Sequence, residues 1–254
     1  MLLAIDIGNT NITLGVYDEQ VLLFTGRLTT ENKTTADQYA IYIKDVLALH
    51  NCSQEDIEDC IIASVVPTVA TAVKQAISFL CDIVPLELGP GIKTGLNIKI
   101  DNPAQLGADL VAGAVGAINE YTLPCVVIDM GTATTLSVID ENATYRGGVI
   151  AAGVRLTLKA LTENTAALPS VSIDAPRNVI GTNTVDCMQS GLVYGTAAML
   201  DGLIEQISAQ LGTMPTVVAT GGLSHQIVPH CRHDIIYNEN LLLEGLREIY
   251  ERNK

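Results

Sequence analysis

A strand-turn-strand unit occurs twice in this chain, about half a chain apart. Ile5-Asp6-Ile7-Gly8-Asn9 matches Ile128-Asp129-Met130-Gly131-Thr132. With one residue deleted, Thr13-Leu14 then matches Thr135-Leu136, Val16 matches Val138 and Asp18 matches Asp140. Recurrence of a whole supersecondary unit points to duplication, hence to two related α/β domains, expected at residues 1–118 and 119–254. Chance likeness between two apolar hairpins is the alternative, and the Asp-x-Gly shared by both copies weakens it.

The hydrophobic pattern fills in the rest of each copy. Leu2–Ile7, Asn11–Tyr17 and Val21–Arg27 read as strands, followed by a helix over Thr34–Leu49 with Thr34 or Thr35 as cap. A buried strand over Ile61–Val65 and a helix over Thr68–Leu80 come next, then a glycine-rich loop, Leu86–Thr94. Asp101-Asn102-Pro103 is expected to start a helix of small residues that runs to about Asn119, with Pro at its first position. The pattern then restarts with strands Val126–Met130, Thr134–Ile139 and Thr144–Ile150. Helices follow near Val154–Leu161 and Thr184–Leu211, then a strand over Val217–Thr220 and an amphipathic helix from about Glu239. The small-residue run Ala112–Ala117 suits tight helix packing between domains or subunits, and Tyr39 and Tyr42 suit a surface or interface.

Composition narrows the partners. With 48% hydrophobic residues, no Trp and two Phe, the core must be built from Ile, Leu, Val and Ala, as in strands covered by helices. A formal charge of −14 argues against nucleic acid, whose phosphates reward clustered Lys and Arg. Six scattered cysteines without a Cys-x-x-Cys pair read as reduced packing residues. The start of the chain has neither a basic leader nor a cleavage site, and no apolar stretch approaches spanning length, so a cytoplasmic location and no membrane partner are expected.

The chemistry lies in the turns. In each copy an apolar strand ends in an Asp just before a glycine turn edged with Asn or Thr. Glycine lets the backbone approach a phosphate, and exposed amides and hydroxyls then donate to it. Two such hairpins facing across a cleft could grip a nucleotide polyphosphate, with Asp6 and Asp129 holding a hydrated Mg²⁺ or other cation against it. Ordinary turns whose aspartates merely cap backbone are the competing reading. The chain contains no Gly-x-x-x-x-Gly-Lys-Ser/Thr loop, and Gly89–Gly95 is a near miss that suits a turn or a substrate loop. His230-Cys231-x-His233 has metal-ligand residue types but no fourth ligand nearby, which suits a surface loop. Gly221-Gly222, after a strand, suits close approach to an adenosine or a plain helix-entry turn.

Taken together these residues resemble type III pantothenate kinase over essentially the entire chain. Asp6-Ile7-Gly8-Asn9-Thr10-Asn11 is similar to that family's first ATP-phosphate loop, and Asp129–Thr135 to its second phosphate motif. Asp101-Asn102-Pro103 followed by Gly107-Ala108-Asp109 resembles its central substrate and catalytic segment. Gly147–Ile150, Thr165–Pro169, Ile180–Thr184, Thr220–Leu223 and Asn240–Leu246 match in order and spacing. The resemblance implies two ribonuclease-H-like domains of the actin and sugar-kinase superfamily (duplicated βββαβα units). It implies ATP-dependent phosphorylation of a primary hydroxyl on a small molecule, pantothenate, in coenzyme A biosynthesis. Mg²⁺, a monovalent cation (K⁺ or NH₄⁺) and a homodimer with its substrate pocket at the subunit interface come with it.

By the same resemblance Asp109 is the general base. ATP is held by Asp6, Gly8, Asn9, Thr10, Asn11, Thr13, Gly131, Thr132, Gly221 and Gly222, and metal by Asp6 and Asp129, the latter for the monovalent ion. The acceptor is held by Ile100, Gly107, Ala108, Asp109, Leu110 and Thr184. Thr184 also suits the cap of the helix it opens.

Two residues depart from the family pattern. The family has Arg after the catalytic Asp, where this chain has Leu110, and Tyr before Asp-Asn-Pro, where it has Ile100. Leucine cannot form the charge-assisted pair that Arg makes with a carboxylate. Either Lys99, Arg155 or a partner subunit supplies the cation, or pantothenate binds poorly. The other functions to separate from pantothenate kinase are therefore a related kinase with a different hydroxyl acceptor, and a nucleotide-binding protein without catalysis. Retention of Asp6, Asp109 and Asp129 speaks against the second.

Overall fold

The structure, a computed structural model, describes residues Met1–Lys254. It divides into two compact units: Met1–Leu96 with Asp101–Asn119 and Leu241–Lys254, and Asn97–Ile100 with Glu120–Asn240.

In the first unit β1 (Leu2–Ile7), β2 (Asn11–Asp18) and β3 (Val21–Thr29) form a meander. It is followed by α1 (Ala36–Leu49), β4 (Asp59–Ser64), α2 (Pro67–Cys81), the two-residue β5 (Leu86–Glu87) and α3 (Ala108–Glu120). The sheet order is β3-β2-β1-β4-β5, with β1 antiparallel to β2 and parallel to β4. Because β1 is central and covered on both faces, it reads as an unbroken apolar run rather than an alternating one. Leu3, Ile5 and Ile7 pack with Ile43 and Leu47 of α1 and Val73 and Ile77 of α2, all buried. Thr35 caps α1 in a capping box with Gln38. Tyr39, expected at a surface, is in this core at 1% exposure, its hydroxyl donating to the Glu31 carbonyl at 3.1 Å. The hydroxyl also accepts the Glu31 N–H at 3.2 Å, and a phenol so satisfied is an amphipathic core residue whose face the helical period decides.

The second unit holds β6 (Asn97–Ile98), β7 (Cys125–Met130), β8 (Ala133–Ile139), β9 (Thr144–Ala152), α4 (Val154–Glu163) and α5 (Thr184–Leu211). It closes with β10 (Thr216–Thr220), the single-turn α6 (Ser224–Ile227) and β11 (Ile236–Tyr237). Its sheet order is β11-β10-β7-β8-β9-β6, the order of the first sheet with β6 added at one edge. The duplication extends to detail. Asp6 registers opposite Thr13 on β2, and Asp129 opposite Thr135 on β8. Each outer hairpin shifts register at the matching place, after Val16 and after Val138. Val126, Ile128 and Met130 pack under Leu192, Leu200 and Ile204 of α5, the same arrangement with different helices. Each unit thus runs three antiparallel strands into helix and then a strand parallel to its first, as the duplication led one to expect.

The last helix, α7 (Leu241–Glu251), returns to the first unit, where it packs on β1 and β4. The sequence reading grouped it with residues 119–254, since nothing local says which half a terminal amphipathic helix covers. The small-residue run of α3 meets this helix within the first unit. A Cβ on Gly245 would overlap the Ala112 carbonyl oxygen, and one on Gly116 the Leu241 carbonyl oxygen, so the two backbones touch.

The helix expected from Pro103 is broken. Pro103–Gln105 is a separate 3₁₀ turn without an Asn102 side-chain cap, and α3 begins at Ala108. The extended Leu106, φ −69° and ψ 123°, ends the turn. The two-residue strands β5, β6 and β11 were missed because two residues carry no periodicity. Cys52, Cys60 and Cys125 are buried and unbridged as expected, whereas Cys187 is exposed. No helix is long and apolar enough to cross a membrane.

Asp140 closes the β8–β9 hairpin. Its carboxylate accepts from the Asn142 and Thr144 backbone N–H groups at 2.9 and 3.0 Å and from Arg146 Nη1 at 3.0 Å. Burial pushes its pKa up, but these hydrogen bonds and the Arg146 charge outweigh that and hold it below the usual 3.8. A depressed carboxylate stabilises the fold above its unfolded pKa, and that contribution is lost as pH falls through the folded one. Asp140→Asn is therefore expected to lower the thermal midpoint at pH 7 and to flatten its fall below about pH 4. Parallel melting profiles for the two proteins at acid pH would exclude this role.

Candidate active site

The Gly107–Leu110 segment and the Gly8–Asn11 turn meet at the carboxyl ends of β1 and β4. In open α/β sheets ligands gather at the carboxyl ends of strands where the order reverses. Here β1, antiparallel to β2 on one side and parallel to β4 on the other, is that point. It delivers Asp6, partly buried, and then the Gly8–Asn11 turn, closed by Gly8 N–H donating to the Asn11 carbonyl at 3.0 Å. Asn9, Thr10 and Asn11 are exposed at this turn. Thr13, half-buried, pairs opposite Asp6. The turn is braced by a residue that sequence reasoning did not single out. Thr30, one past β3, donates its hydroxyl to the Gly8 carbonyl at 2.7 Å and its N–H to the Thr10 carbonyl at 3.0 Å. A strand-end Thr carries no sequence signal of that contact.

Val65, directly after β4, donates its N–H to the Ile7 carbonyl at 3.1 Å. Its side chain also lies 3.7 Å from where a Gly107 Cβ would be. That contact brings the start of α3, with Gly107, Ala108, Asp109 and Leu110, to the same edge. A Cβ at Gly107 would overlap Asp109 Oδ1, so a side chain there would displace the carboxylate. Asp109, in the first turn of α3, accepts from the Leu110 N–H at 2.8 Å. A carboxylate at a helix N-terminus is favoured by the helix dipole. Burial nonetheless dominates, and raises its pKa above the usual 3.8 against the hydrogen bonds from the Leu110 and Asp109 backbone. A partly desolvated carboxylate with a raised pKa beside a ligand edge is suited to proton transfer. Leu110 is half-buried beside it.

The second unit repeats the hairpin. Asp129 is the penultimate residue of β7, and Gly131 N–H donates to the Ala133 carbonyl at 3.0 Å. Gly131 and Thr132 are exposed. Gly153, just past β9, occupies the bracing position that Thr30 has in the first unit, its N–H donating to the Thr132 carbonyl at 3.1 Å. Gly221 lies against Asp129 itself: with φ +90° and a would-be Cβ 2.6 Å from Asp129 Oδ1, only glycine fits. Gly222, by contrast, faces open space. The buried hydroxyls of Thr134 and Thr135 lack a hydrogen-bond partner, Thr135 directly opposite Asp129.

Thr184 and Ile100 sit elsewhere in this unit. Thr184 is the first residue of α5 but not its cap, which is Asn183, accepting from Asp186 N–H at 3.0 Å. It lines an open cavity of about 680 Å³ between α4 and α5, together with Thr157, Leu168, Gly181 and the exposed Cys187. Thr157 also donates to the Gly153 carbonyl at 3.1 Å, which ties this wall to the Thr132 turn. Ile100 lies beside Gly147 of β9.

A model of the type III pantothenate kinase family matches residues 2–206. A type III pantothenate kinase of Halalkalibacterium halodurans is 42% identical over 253 residues, covering 100% of both chains. The chain belongs to the type III pantothenate kinase family. Solved structures show the same fold at greater distance. Component A of the (R)-2-hydroxyglutaryl-CoA dehydratase of Acidaminococcus fermentans aligns with a TM-score of 0.59 at 15% identity, over 100% of this chain and 99% of that one. A ROK hexokinase from Thermus thermophilus aligns at 0.55 and 12%, over 99% and 98%. The fold thus carries several chemistries, and the residues at its strand ends must decide which.

Proposed function

We propose that this chain transfers the γ-phosphoryl group of ATP to the primary hydroxyl of pantothenate, the entry step of coenzyme A synthesis. The observation that carries it is Asp109, held by Gly107 at the carboxyl edge of β1 and β4 with its pKa raised by burial. As base it accepts the hydroxyl proton while the oxygen attacks phosphorus. The rest of the work is positioning and charge neutralisation. Asp6, Gly8, Asn9, Thr10, Asn11 and Thr13 serve the nucleotide in the first unit, and Gly131, Thr132, Gly221 and Gly222 in the second.

Mg²⁺ and a monovalent cation (K⁺ or NH₄⁺) accompany this reading. The donor set fits hard cations: Asp6 and Asp129 offer carboxylate oxygens, and the unsatisfied Thr135 hydroxyl opposite Asp129 is a further oxygen ligand. Mg²⁺ needs only one or two carboxylates beside the phosphates, and it neutralises their charge. A homodimer in the cytoplasm completes the proposal. Exposed Ile150, Leu156, Val179, Ile180 and Val185 in the second unit supply apolar area for such an interface.

A coupled ADP-release assay with Mg²⁺, K⁺ and ATP tests this, with pantothenate set against a panel of small hydroxyl compounds. Turnover on pantothenate supports the proposal. Turnover only on another acceptor favours the second reading, a kinase of the same family with a changed acceptor pocket. Leu110 and Ile100 motivate that reading, since both replace polar residues of the family pattern. Nucleotide binding without turnover would leave a non-catalytic protein.

Leu110→Arg is expected to lower the KM for pantothenate about tenfold or more, since a charge-assisted pair to a carboxylate is among the stronger polar contacts. An unchanged KM would show that the carboxylate is read elsewhere.

A further inference from the structure

The two hairpin turns are braced differently, and the difference lies in one hydroxyl. In each unit the residue just past the third strand reaches back to the turn. Thr30 N–H donates to the Thr10 carbonyl at 3.0 Å, and Gly153 N–H to the Thr132 carbonyl at 3.1 Å. Thr30 adds a side-chain bond, its hydroxyl donating to the Gly8 carbonyl at 2.7 Å. Position 153 has no room for one. A Cβ there would overlap the Thr132 carbonyl oxygen and stand 2.5 Å from that of Gly131. The first turn is longer, closing from Gly8 N–H to the Asn11 carbonyl where the second closes from Gly131 to Ala133, and it accommodates the threonine.

That hydroxyl sets the direction of a peptide. Glycine has little torsional preference of its own, so an external tie decides how the peptide after Gly8 is rotated. The Gly8–Asn9 peptide is trans, and the N–H of a trans peptide points opposite to its carbonyl. Holding the carbonyl against Thr30 therefore aims the Asn9 N–H away from the end of β3, and Asn9 is exposed.

We propose that Thr30 is a positioning residue for the nucleotide: its hydroxyl holds the Gly8–Asn9 peptide with its N–H turned towards the phosphates of ATP. The proposal rests on the kinase reading above. An amide that is already aimed donates to a phosphate oxygen without the ordering cost that a freely rotating one meets on binding. Both hydrogen bonds of Thr30 end in the Gly8–Asn11 turn, so its loss should weaken nucleotide and acceptor unequally.

The test uses the full chain with three variants that all keep the N–H donated to Thr10. Thr30→Val preserves the branched shape without the hydroxyl, Thr30→Ala removes both, and Thr30→Ser preserves the hydroxyl. Valine and alanine should raise the KM for ATP about three- to tenfold, the range spanned by one neutral hydrogen bond. The KM for pantothenate should stay at the wild-type value, and serine should restore ATP use. Calorimetric titration with Mg-ATP in the absence of acceptor should rank the Kd values in the same order. If the valine variant does not fold, alanine against serine gives the same comparison.

An ATP KM and Kd unchanged by valine and alanine would overturn the positioning role. So would an equal rise in both KM values, which is the mark of general loosening of the first unit. Serine as weak as valine would assign the effect to the lost methyl and reject the hydroxyl. Should the wild-type chain bind Mg-ATP but not use pantothenate, the functional reading fails separately, and the ranking of Kd values decides this inference alone. A wild-type chain that binds no Mg-ATP would overturn both.

Discussion

Asp109→Asn is expected to lower kcat by about 10² to 10⁴, the usual contribution of a positioned general base, with ATP affinity nearly intact. Asparagine keeps the shape and can still accept the Leu110 N–H that Asp109 Oδ1 accepts at 2.8 Å. It cannot take up the acceptor's proton. The variant should be no less stable than the parent. Burial raises the Asp109 pKa, so the folded state disfavours the charge, and a neutral isostere removes that penalty at neutral pH. The pH profile supplies an independent check. The base must be ionised to work, so kcat/KM should fall with decreasing pH through an acid limb lying above the ordinary 3.8. Single-turnover rates with pantothenate and ATP would settle both. Full turnover by the Asn variant would reject Asp109 as the base, and an acid limb at or below the ordinary value would contradict its desolvation.

Gly245→Ala should destabilise the protein, against the expectation from helix propensity. In an exposed helix interior alanine gains about 1 kcal/mol over glycine. At this position the added methyl would overlap the Ala112 carbonyl oxygen, and Ala112 C and Gly116 N lie only 2.7 and 2.9 Å from it. Those atoms are backbone of α3, so no rotamer change relieves the overlap. The helices must separate, giving up buried contacts of Leu241, Leu243 and Leu246 with the sheet. Overpacking of this kind costs up to about 3 kcal/mol and occasionally more, which leaves a net loss of about 2 kcal/mol. For a chain of this length that is a fall in Tm of about 5 °C. Because α3 carries Asp109, kcat should fall with it even below the melting range. A Tm equal to or above that of the parent would show that α3 and α7 do not meet through bare backbone.

The two hairpins were legible because their information is local. An apolar run long enough to cross a sheet, a carboxylate at its end, a glycine where the chain must turn and a second copy in register do not depend on distant residues. The two Asp-x-Gly turns, and the Thr13-Leu14 and Thr135-Leu136 pairs that follow them, therefore align with one another in the sequence, and the structure places each Asp opposite the Thr of its own copy. Tyr39 and the start of α3 were not legible in the same way. The burial of Tyr39 depends on which face of α1 meets the sheet. The interruption at Leu106 depends on a segment in which Pro103 and the following small residues are compatible with continuous helix.

What the sequence determined by itself is the α/β class of fold and its duplication, since strand period and turn chemistry act over a few residues. What only tertiary structure decided is which elements surround Asp6, Asp109 and Asp129. The return of α7 to the first sheet, the glycine contacts at positions 116 and 245, the hydrogen bonds of Asn253 to Lys93 and the bracing of Gly8 by Thr30 join residues far apart along the chain. Such contacts are selected by shape and hydrogen-bond complementarity once the chain has collapsed, and residue types along the sequence do not encode them one by one.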